Sequence, residues 1–329
     1  MKVGVYIPNW IGDCVMAFPF LHECKKQHQN DEIICLAREW VSPVLERNPY
    51  IDELIIIKKD QDKNIRNILS FSKLLRSKNI DIFYILSDSW RSAIFALISG
   101  AKQRIGFDRY KKSILFSNSI HTPYKDIHRS QKYLYLLDIK KIDTKPDIKI
   151  KLSEEEQKQS IKYLNQLNIN SFMGLFIGSN AQTRRPNVDF WIKICKKALK
   201  DKMKILIFGS KTEDIISNKI INELNNKNIS SFCGKGSLRE TISLISFSKG
   251  VIATDSGLGH ISANLGIPTI SLFAAGNPIV TGPIGKKIKI INKNIYCSQC
   301  GKPKCKEPLI CLNKIDSDNV WNSYLKLIN

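Results

Sequence analysis

Three polar loops and one acidic residue carry most of the chemistry in this sequence. Pro8-Asn9-Trp10-Ile11-Gly12-Asp13 follows the β-branched run Val3–Ile7 and leads into a helix-like stretch. Gly12 permits a tight turn, which leaves Asp13 at a helix N-terminus. A carboxylate there either caps the helix or serves as a general base that takes a proton from a hydroxyl. In Gly178-Ser179-Asn180-Ala181-Gln182-Thr183-Arg184-Arg185-Pro186, the proline suits a first helical turn. Arg184 and Arg185 then oppose the positive end of the helix macrodipole, and an anion on the free backbone N–H groups would relieve the conflict. Solvated arginines are the alternative. In Thr254-Asp255-Ser256-Gly257-Leu258-Gly259-His260, Ser256, Gly257 and Gly259 let the backbone approach a phosphate. Asp255 would repel a diphosphate and better suits sugar hydroxyls or a capping bond. His260, one turn into the next helix, either donates to a phosphate oxygen or packs as an ordinary histidine. Glu213, after the run Met203–Phe208 and the loop Gly209-Ser210-Lys211, could accept from ribose hydroxyls, or be a plain first-turn glutamate. Three such loops in one half of the chain point to a nucleotide-sugar site, with Ser179, Asn180 and Thr183 among its candidate residues.

A different chemistry is written near the end. Cys297-x2-Cys300-x4-Cys305-x5-Cys311 places four thiols in one short loop with Gly301, Pro303 and Pro308. That spacing could close a tetrahedral zinc or iron site, structural because four sulfurs leave no open position. Reduced free thiols are the alternative. Cys14, Cys24, Cys35, Cys195 and Cys233 are scattered and read as small core residues.

Parallel-sheet elements must position these loops. In the first half, the runs Val3–Ile7, Glu32–Leu36, Leu54–Ile57 and Ile80–Ile85 predict strands. Helical patterns at Asp13–Lys26, Trp40–Arg47, Asn64–Arg76 and Ser89–Leu97 separate them. After a charged interval at Lys140–Ser153, Ser153 and Glu156 form a capping-box pattern that opens a helix. The alternation resumes with strands at Phe172–Ile177, Met203–Phe208, Gly250–Thr254 and Thr269–Phe273. Helices are expected at Asn187–Lys200, Thr212–Leu224, Leu238–Ser246, Gly257–Leu265 and Asp318–Ile328. The expected fold is α/β: two doubly wound, Rossmann-like domains facing a cleft, with ligands at the carboxyl ends of the strands. The expected domains are an acceptor half at 1–150, a nucleotide-sugar half at 151–312 and a terminal helix at 313–329.

Composition bounds the rest. The chain has 329 residues, 51 Lys+Arg against 30 Asp+Glu, a net charge of +21 and 43% apolar residues. Such a chain buries sizeable cores, so wholesale disorder is excluded. No run reaches the roughly 18–20 apolar residues of a membrane span, and the N-terminus lacks a signal-peptide pattern. The reading is cytoplasmic, with peripheral attachment to the inner membrane left open. The basic excess reflects either compositional bias or attraction to anions. Arg91, Lys102, Arg104, Arg109, Lys111 and Lys112 form a basic run that faces either an acidic ligand or solvent. No Gly-x-Gly-x-x-Gly follows the first strand and no Walker loop occurs, which disfavours ordinary dinucleotide and P-loop chemistry.

From residue 1 to about residue 290 the sequence resembles glycosyltransferase family 9, the bacterial lipopolysaccharide heptosyltransferases of GT-B fold. Trp10-Ile11-Gly12-Asp13-Cys14-Val15-Met16, Leu86-Ser87-Asp88-Ser89-Trp90-Arg91-Ser92-Ala93 and Arg104-Ile105-Gly106-Phe107 are similar to the heptosyltransferase II branch. Asp255–His260 is similar to the family's donor motif. The resemblance implies inverting transfer of a heptose from ADP-heptose to a lipopolysaccharide-core hydroxyl at the inner membrane face. It implies Asp13 as the base, Trp10, Arg91 and Arg104 toward the acceptor, and no catalytic cofactor. Where the family has Lys-x-Trp-Pro, this chain reads Thr183-Arg184-Arg185-Pro186, so the diphosphate falls to Arg184 or Arg185. Two other readings stand beside it: a related transferase that glycosylates a protein or uses another nucleotide sugar, and a basic nucleic-acid-binding protein with a zinc knuckle. No recognition-helix or aromatic RNA-binding motif supports the last.

Overall fold

Two all-parallel sheets carry the chain. The first comprises β1 (Lys2–Tyr6), β2 (Glu32–Arg38), β3 (Glu53–Ile57), β4 (Ile82–Ile85), β5 (Gln103–Phe107) and β6 (Asn118–Ile120), in the spatial order β3-β2-β1-β4-β5-β6. The second comprises β7 (Phe172–Phe176), β8 (Lys204–Phe208), β9 (Ile229–Ser231), β10 (Gly250–Thr254), β11 (Thr269–Phe273) and β12 (Ile288–Asn292), in the order β12-β11-β10-β7-β8-β9. The computed structural model describes residues 1–61, 65–108, 113–121, 126–140, 148–305 and 309–329. Arg109, Lys111 and Lys112, Pro308, the expected helix start at Asn64 and part of the charged interval lie outside them.

Central strands β1, β2, β7 and β10 are almost wholly buried, as parallel strands covered by helices on both faces must be. Register follows from that burial: Tyr6 pairs with Leu36 on one side and Ile85 on the other, and Leu175 with Ile207 and Ile252. Each sheet has the doubly wound order, with its reversal between β1 and β4 in the first and between β7 and β10 in the second. Open parallel sheets bind ligands at such reversals, outside the strands' carboxyl ends.

The chain divides into two compact units, Met1–Lys151 and Leu152–Asn329. The helix Ser317–Ile328 belongs to the second: Tyr324 is fully buried, and its ring lies against Gly250 of β10.

Local chemistry set most element bounds. The Ser153–Glu156 capping box is formed in both directions and opens the helix Glu154–Gln166. Asn187 caps Val188–Lys200, which turns Phe190, Trp191, Ile194, Cys195 and Ala198 into the core. The single helix expected over Asp13–Lys26 is instead two, Ile11–Met16 and Phe18–Gln27, because Pro19 in the first turn of the second has no N–H to continue the first. Trp40–Arg47 shrinks to Ser42–Leu45, with Pro43 at its start. Strands β5, β6, β9 and β12 and the helix Arg129–Leu134 were not expected.

Candidate active site

At the reversal of the first sheet, β1 delivers Pro8–Asp13 and β4 delivers Leu86–Arg91. Trp10, not Asp13, occupies the N-cap of Ile11–Met16, and its side chain makes no capping bond. Asp13 sits in the first turn with 17% of its side chain exposed, and its Oδ2 lies 3.7 Å from Nη1 of Arg129. Arg129 comes from the helix Arg129–Leu134, as do Lys132 and Tyr133. Lys132 Nζ reaches Asp88 Oδ2 at 3.2 Å and stands 4.3 Å above the ring centre of Phe107. Burial works against the Arg129 charge, but Asp13, Tyr133 and Asp88 outweigh it and raise its pKa. Burial, reinforced by Asp13, pushes the Tyr133 phenol well above its ordinary value. Capping is thus not the role of Asp13; its carboxylate belongs to a charge cluster.

Beside this cluster is a hollow of about 520 Å³ lined by Arg38, Trp40, Lys59, Trp90 and Arg91, with Asn9 and Ser89. Trp40 donates from Nε1 to the Asn9 carbonyl at 2.7 Å, and the buried Arg38 guanidinium lies 5.7 Å from the Trp40 ring centre. Indole walls and cations together suit a sugar bearing negative charge. Trp10 is 61% exposed. Arg104 is differently employed: its Nε and Nη1 donate to the carbonyls of Leu115 (2.9 Å) and Ala101 (2.7 Å), so it braces the turn after β5.

At the reversal of the second sheet the loops after β7 and β10 are stitched together. Thr254 Oγ1 donates to the Gly178 carbonyl at 2.5 Å, and Ser179 Oγ to the Asp255 carbonyl at 2.9 Å. Arg184 Nε lies 3.2 Å from Oδ2 of the buried Asp255. Arg185 donates from Nε to the Ser179 carbonyl and from Nη2 to the Asn180 carbonyl. Both arginines therefore shape the loop, and Asp255 is balanced by a cation rather than left as a bare negative charge. Thr183 is buried, its Oγ1 donating to the Lys302 carbonyl at 2.6 Å. The helix Gly257–Asn264 begins at Ser256, whose hydroxyl is enclosed and has no hydrogen-bond partner. Gly259 lies close enough to β10 that a Cβ would stand 3.3 Å from that of Ala253, and His260 is buried one turn in. A helix N-terminus with a spare hydroxyl can receive an anion. Glu213 is buried under the β8 loop: Oε2 accepts from the backbone N–H and hydroxyl of Ser210, and Oε1 from Thr212.

The cysteine loop lies against this region, and its four thiols are not gathered into the tetrahedral set that the spacing suggests. Cys311 is a core residue, 4% exposed on the helix Ile310–Asn313 beside Leu312 and Trp321, whereas Cys300 is exposed and Cys297 and Cys305 are half-buried. Burial raises the Cys311 thiol's pKa, with Cys297 and Cys300 adding to it. Among the described residues no three or more His, Cys, Asp or Glu side chains gather to hold a metal. Backbone bonds hold the loop instead, from Gln299 N to the Ala274 carbonyl (2.9 Å) and from Gly301 N to that of Ala275 (2.8 Å). Nor is any helix of the described residues long and apolar enough to cross a membrane.

Two doubly wound sheets, each with polar and cationic loops at its reversal, define a GT-B α/β protein. The chain belongs to glycosyltransferase family 9: the family model, described as glycosyltransferase family 9 (heptosyltransferase), matches residues 68–310. It is 28% identical over 338 aligned residues to lipooligosaccharide heptosyltransferase 2 of Campylobacter jejuni, covering 99% of each chain. Among solved structures it is similar to ADP-heptose LPS heptosyltransferase II of Escherichia coli, with a TM-score of 0.83, 21% identity, and 100% and 98% of the two chains covered. It is also similar to a family 9 glycosyltransferase from Veillonella parvula, with a TM-score of 0.89, 20% identity, and 99% and 97% covered. The protein is a glycosyltransferase, which displaces the nucleic-acid-binding reading.

Sequence reasoning missed Arg38, Trp40, Lys59 and Arg129, and named Trp90 only inside the motif Leu86–Ala93. Arg38 and Lys59 stand at or just beyond the ends of β2 and β3, a positional signal that was available. Arg129 had none, because its helix has six residues and no apolar periodicity.

Proposed function

We propose that this chain transfers a heptose from ADP-heptose to a hydroxyl of a lipopolysaccharide inner core, with inversion at the anomeric carbon. One observation carries the reading: the likeness to heptosyltransferase 2 spans nearly the whole of both chains. Asp13 takes the proton of the acceptor hydroxyl as its oxygen attacks the anomeric carbon, and the ADP diphosphate leaves from the opposite face. Such a base contributes about 10²–10⁴ in rate. The N-terminus of Gly257–Asn264 and the Ser256 hydroxyl would steady the charge on the leaving diphosphate, while Arg184 and Arg185, bonded within the loop they brace, would add their positive charge from there. The hollow around Arg38, Trp40, Lys59, Trp90 and Arg91 would seat the anionic sugars of the acceptor. On this reading Met1–Lys151 is the acceptor unit, Leu152–Asn329 is the donor unit, and the enzyme works at the cytoplasmic face of the inner membrane without a catalytic cofactor.

The test is a donor panel of ADP-heptose, UDP-sugars and GDP-sugars with a lipopolysaccharide-core acceptor. Turnover is expected with ADP-heptose alone. Asp13→Ala should keep the thermal shift produced by ADP-heptose and lose about 10²-fold or more of kcat. Full turnover by that variant would reject Asp13 as the base; transfer from a UDP- or GDP-sugar only would reject the donor.

A further inference from the structure

Resting on the reading of Asp13 as the base, we propose that Arg129 is a positioning residue of the transfer. It holds the Asp13 carboxylate in one orientation, while Lys132 occupies the competing carboxylate of Asp88. The helix Arg129–Leu134 supplies both cations from one face, since Arg129, Lys132 and Tyr133 stand at i, i+3 and i+4. Its start is fixed by His128, whose Nδ1 accepts from the Ser130 backbone at 3.2 Å.

Two carboxylates and two cations alternate in the cluster. Lys132 is committed to both oxygens of Asp88, at 3.2 and 3.4 Å, and is backed by the Phe107 ring. Arg129 is thereby left to Asp13. The buried Tyr133 lies beside Arg129 and favours its charged form. At 3.7 Å the contact between Arg129 and Asp13 is longer than a hydrogen bond. It orients the carboxylate by charge, and the contact itself takes up none of the lone pairs a base must offer.

The experiment compares Arg129→Met, Arg129→Lys, Tyr133→Phe, Asp13→Ala and the double variant Asp13→Ala/Arg129→Met in the full chain. Donor and acceptor KM, kcat and the ADP-induced melting shift are measured for each. Arg129→Met should lose about 10²-fold in kcat, the scale of a misplaced catalytic group, with both KM values within about twofold. Arg129→Lys should regain about tenfold of that loss, and Tyr133→Phe should show a smaller fall of the same kind. The double variant should be no slower than Asp13→Ala, because Arg129 acts only through Asp13. An undiminished kcat in Arg129→Met, a loss confined to KM, or a further loss in the double variant overturns the proposal. If Arg129→Met does not fold, wild-type kcat in both Arg129→Lys and Tyr133→Phe overturns it equally. Full activity in Asp13→Ala brings down the base reading and this inference with it; an inactive Asp13→Ala beside a fully active Arg129→Met brings down this inference alone.

Discussion

Arg184 turns its Nε onto Oδ2 of Asp255 at 3.2 Å, tying the loop after β7 to the loop after β10. Asp255 is 4% exposed, so its charge needs a partner, and the Arg184 side chain, about one-third exposed, supplies one while facing solvent with the rest. Gly276 is required alongside: a Cβ there would lie 2.1 Å from the same carboxylate oxygen.

Removing Arg184 should therefore destabilise before it affects chemistry. Arg184→Met is expected to cost about 1–3 kcal/mol in urea unfolding, because it takes the charge partner from a buried carboxylate. Arg184→Met combined with Asp255→Asn should be less unstable than the sum of the single changes by about 1 kcal/mol, the coupling of residues in contact. Strict additivity would mean that the pair does not hold the loops.

Glu213 offers a second steric test. Its carboxylate and stem fill the space that Cβ atoms on Gly178 and Gly209 would need, with approaches of 2.5 and 2.7 Å. Gly178→Ala should cost about 1–3 kcal/mol as an overpacked site, and much of that cost should disappear in a Glu213→Ala background. Thermal unfolding of the four proteins of the cycle reads this directly.

The parts of the fold that were legible share a cause: their signal is local. Runs such as Gly250–Thr254 and Thr269–Phe273 are apolar because both faces are covered, and the Ser153–Glu156 box is closed by residues three apart. Strand β5 reads Gln103-Arg104-Ile105-Gly106-Phe107 and β9 reads Ile229-Ser230-Ser231; both are too polar or too short to announce themselves. In the site, loop positions were legible and the bonds within the loops were not. Arg184, Arg185 and Glu213 were read by what they could offer a ligand, whereas the fold gives each a partner inside the protein. The ion pair of Asp13 and Arg129 joins distant segments, and neither neighbourhood encodes it.

Thiol accessibility tests the cysteine loop. Burial raises the thiols of Cys14 and Cys35 and pushes those of Cys24 and Cys195 up to about 12, so these should resist alkylation in the native state. Maleimide should label Cys300 first, then Cys297 and Cys305, with Cys311 protected until unfolding. Labelling of Cys300 that begins only after a chelator is added would reveal a metal held by these sulfurs and reverse the reading of a loop held by backbone bonds.

The acid side of the stability profile should show Asp52. Burial opposes its charge, but the backbone N–H of Ile33 at 2.8 Å and the Lys25 ammonium at 2.7 Å prevail, and its pKa is lowered. A carboxyl lowered on folding stabilises above its unfolded pKa of about 3.9, and that contribution is lost as pH falls through the lower folded value. Asp52→Asn should accordingly be less stable than wild type at pH 7, with the gap closing below about pH 4. A gap that stays constant from pH 7 to pH 2 would show that the carboxylate charge plays no part.

The hollow in the first unit makes the sharpest demand on the acceptor. Lys59 and Arg91 are exposed at its rim, so removing either should leave the fold intact, whereas the buried Arg38 packs against Trp40 and cannot be lost as cheaply. If anionic sugars dock there, Lys59→Ala and Arg91→Ala should each raise the acceptor KM severalfold while donor KM and kcat hold. The effect should shrink at high salt, because rim charges are screened beyond about 8 Å at physiological ionic strength. Trp90→Ala should raise the acceptor KM in a salt-independent way, since an indole wall acts through apolar contact and stacking. An acceptor stripped of its phosphate and carboxylate groups should bind wild type no better than it binds Arg91→Ala. Equal KM values for charged and neutral acceptors in wild type would remove the hollow from the acceptor path and leave its cations without a substrate role.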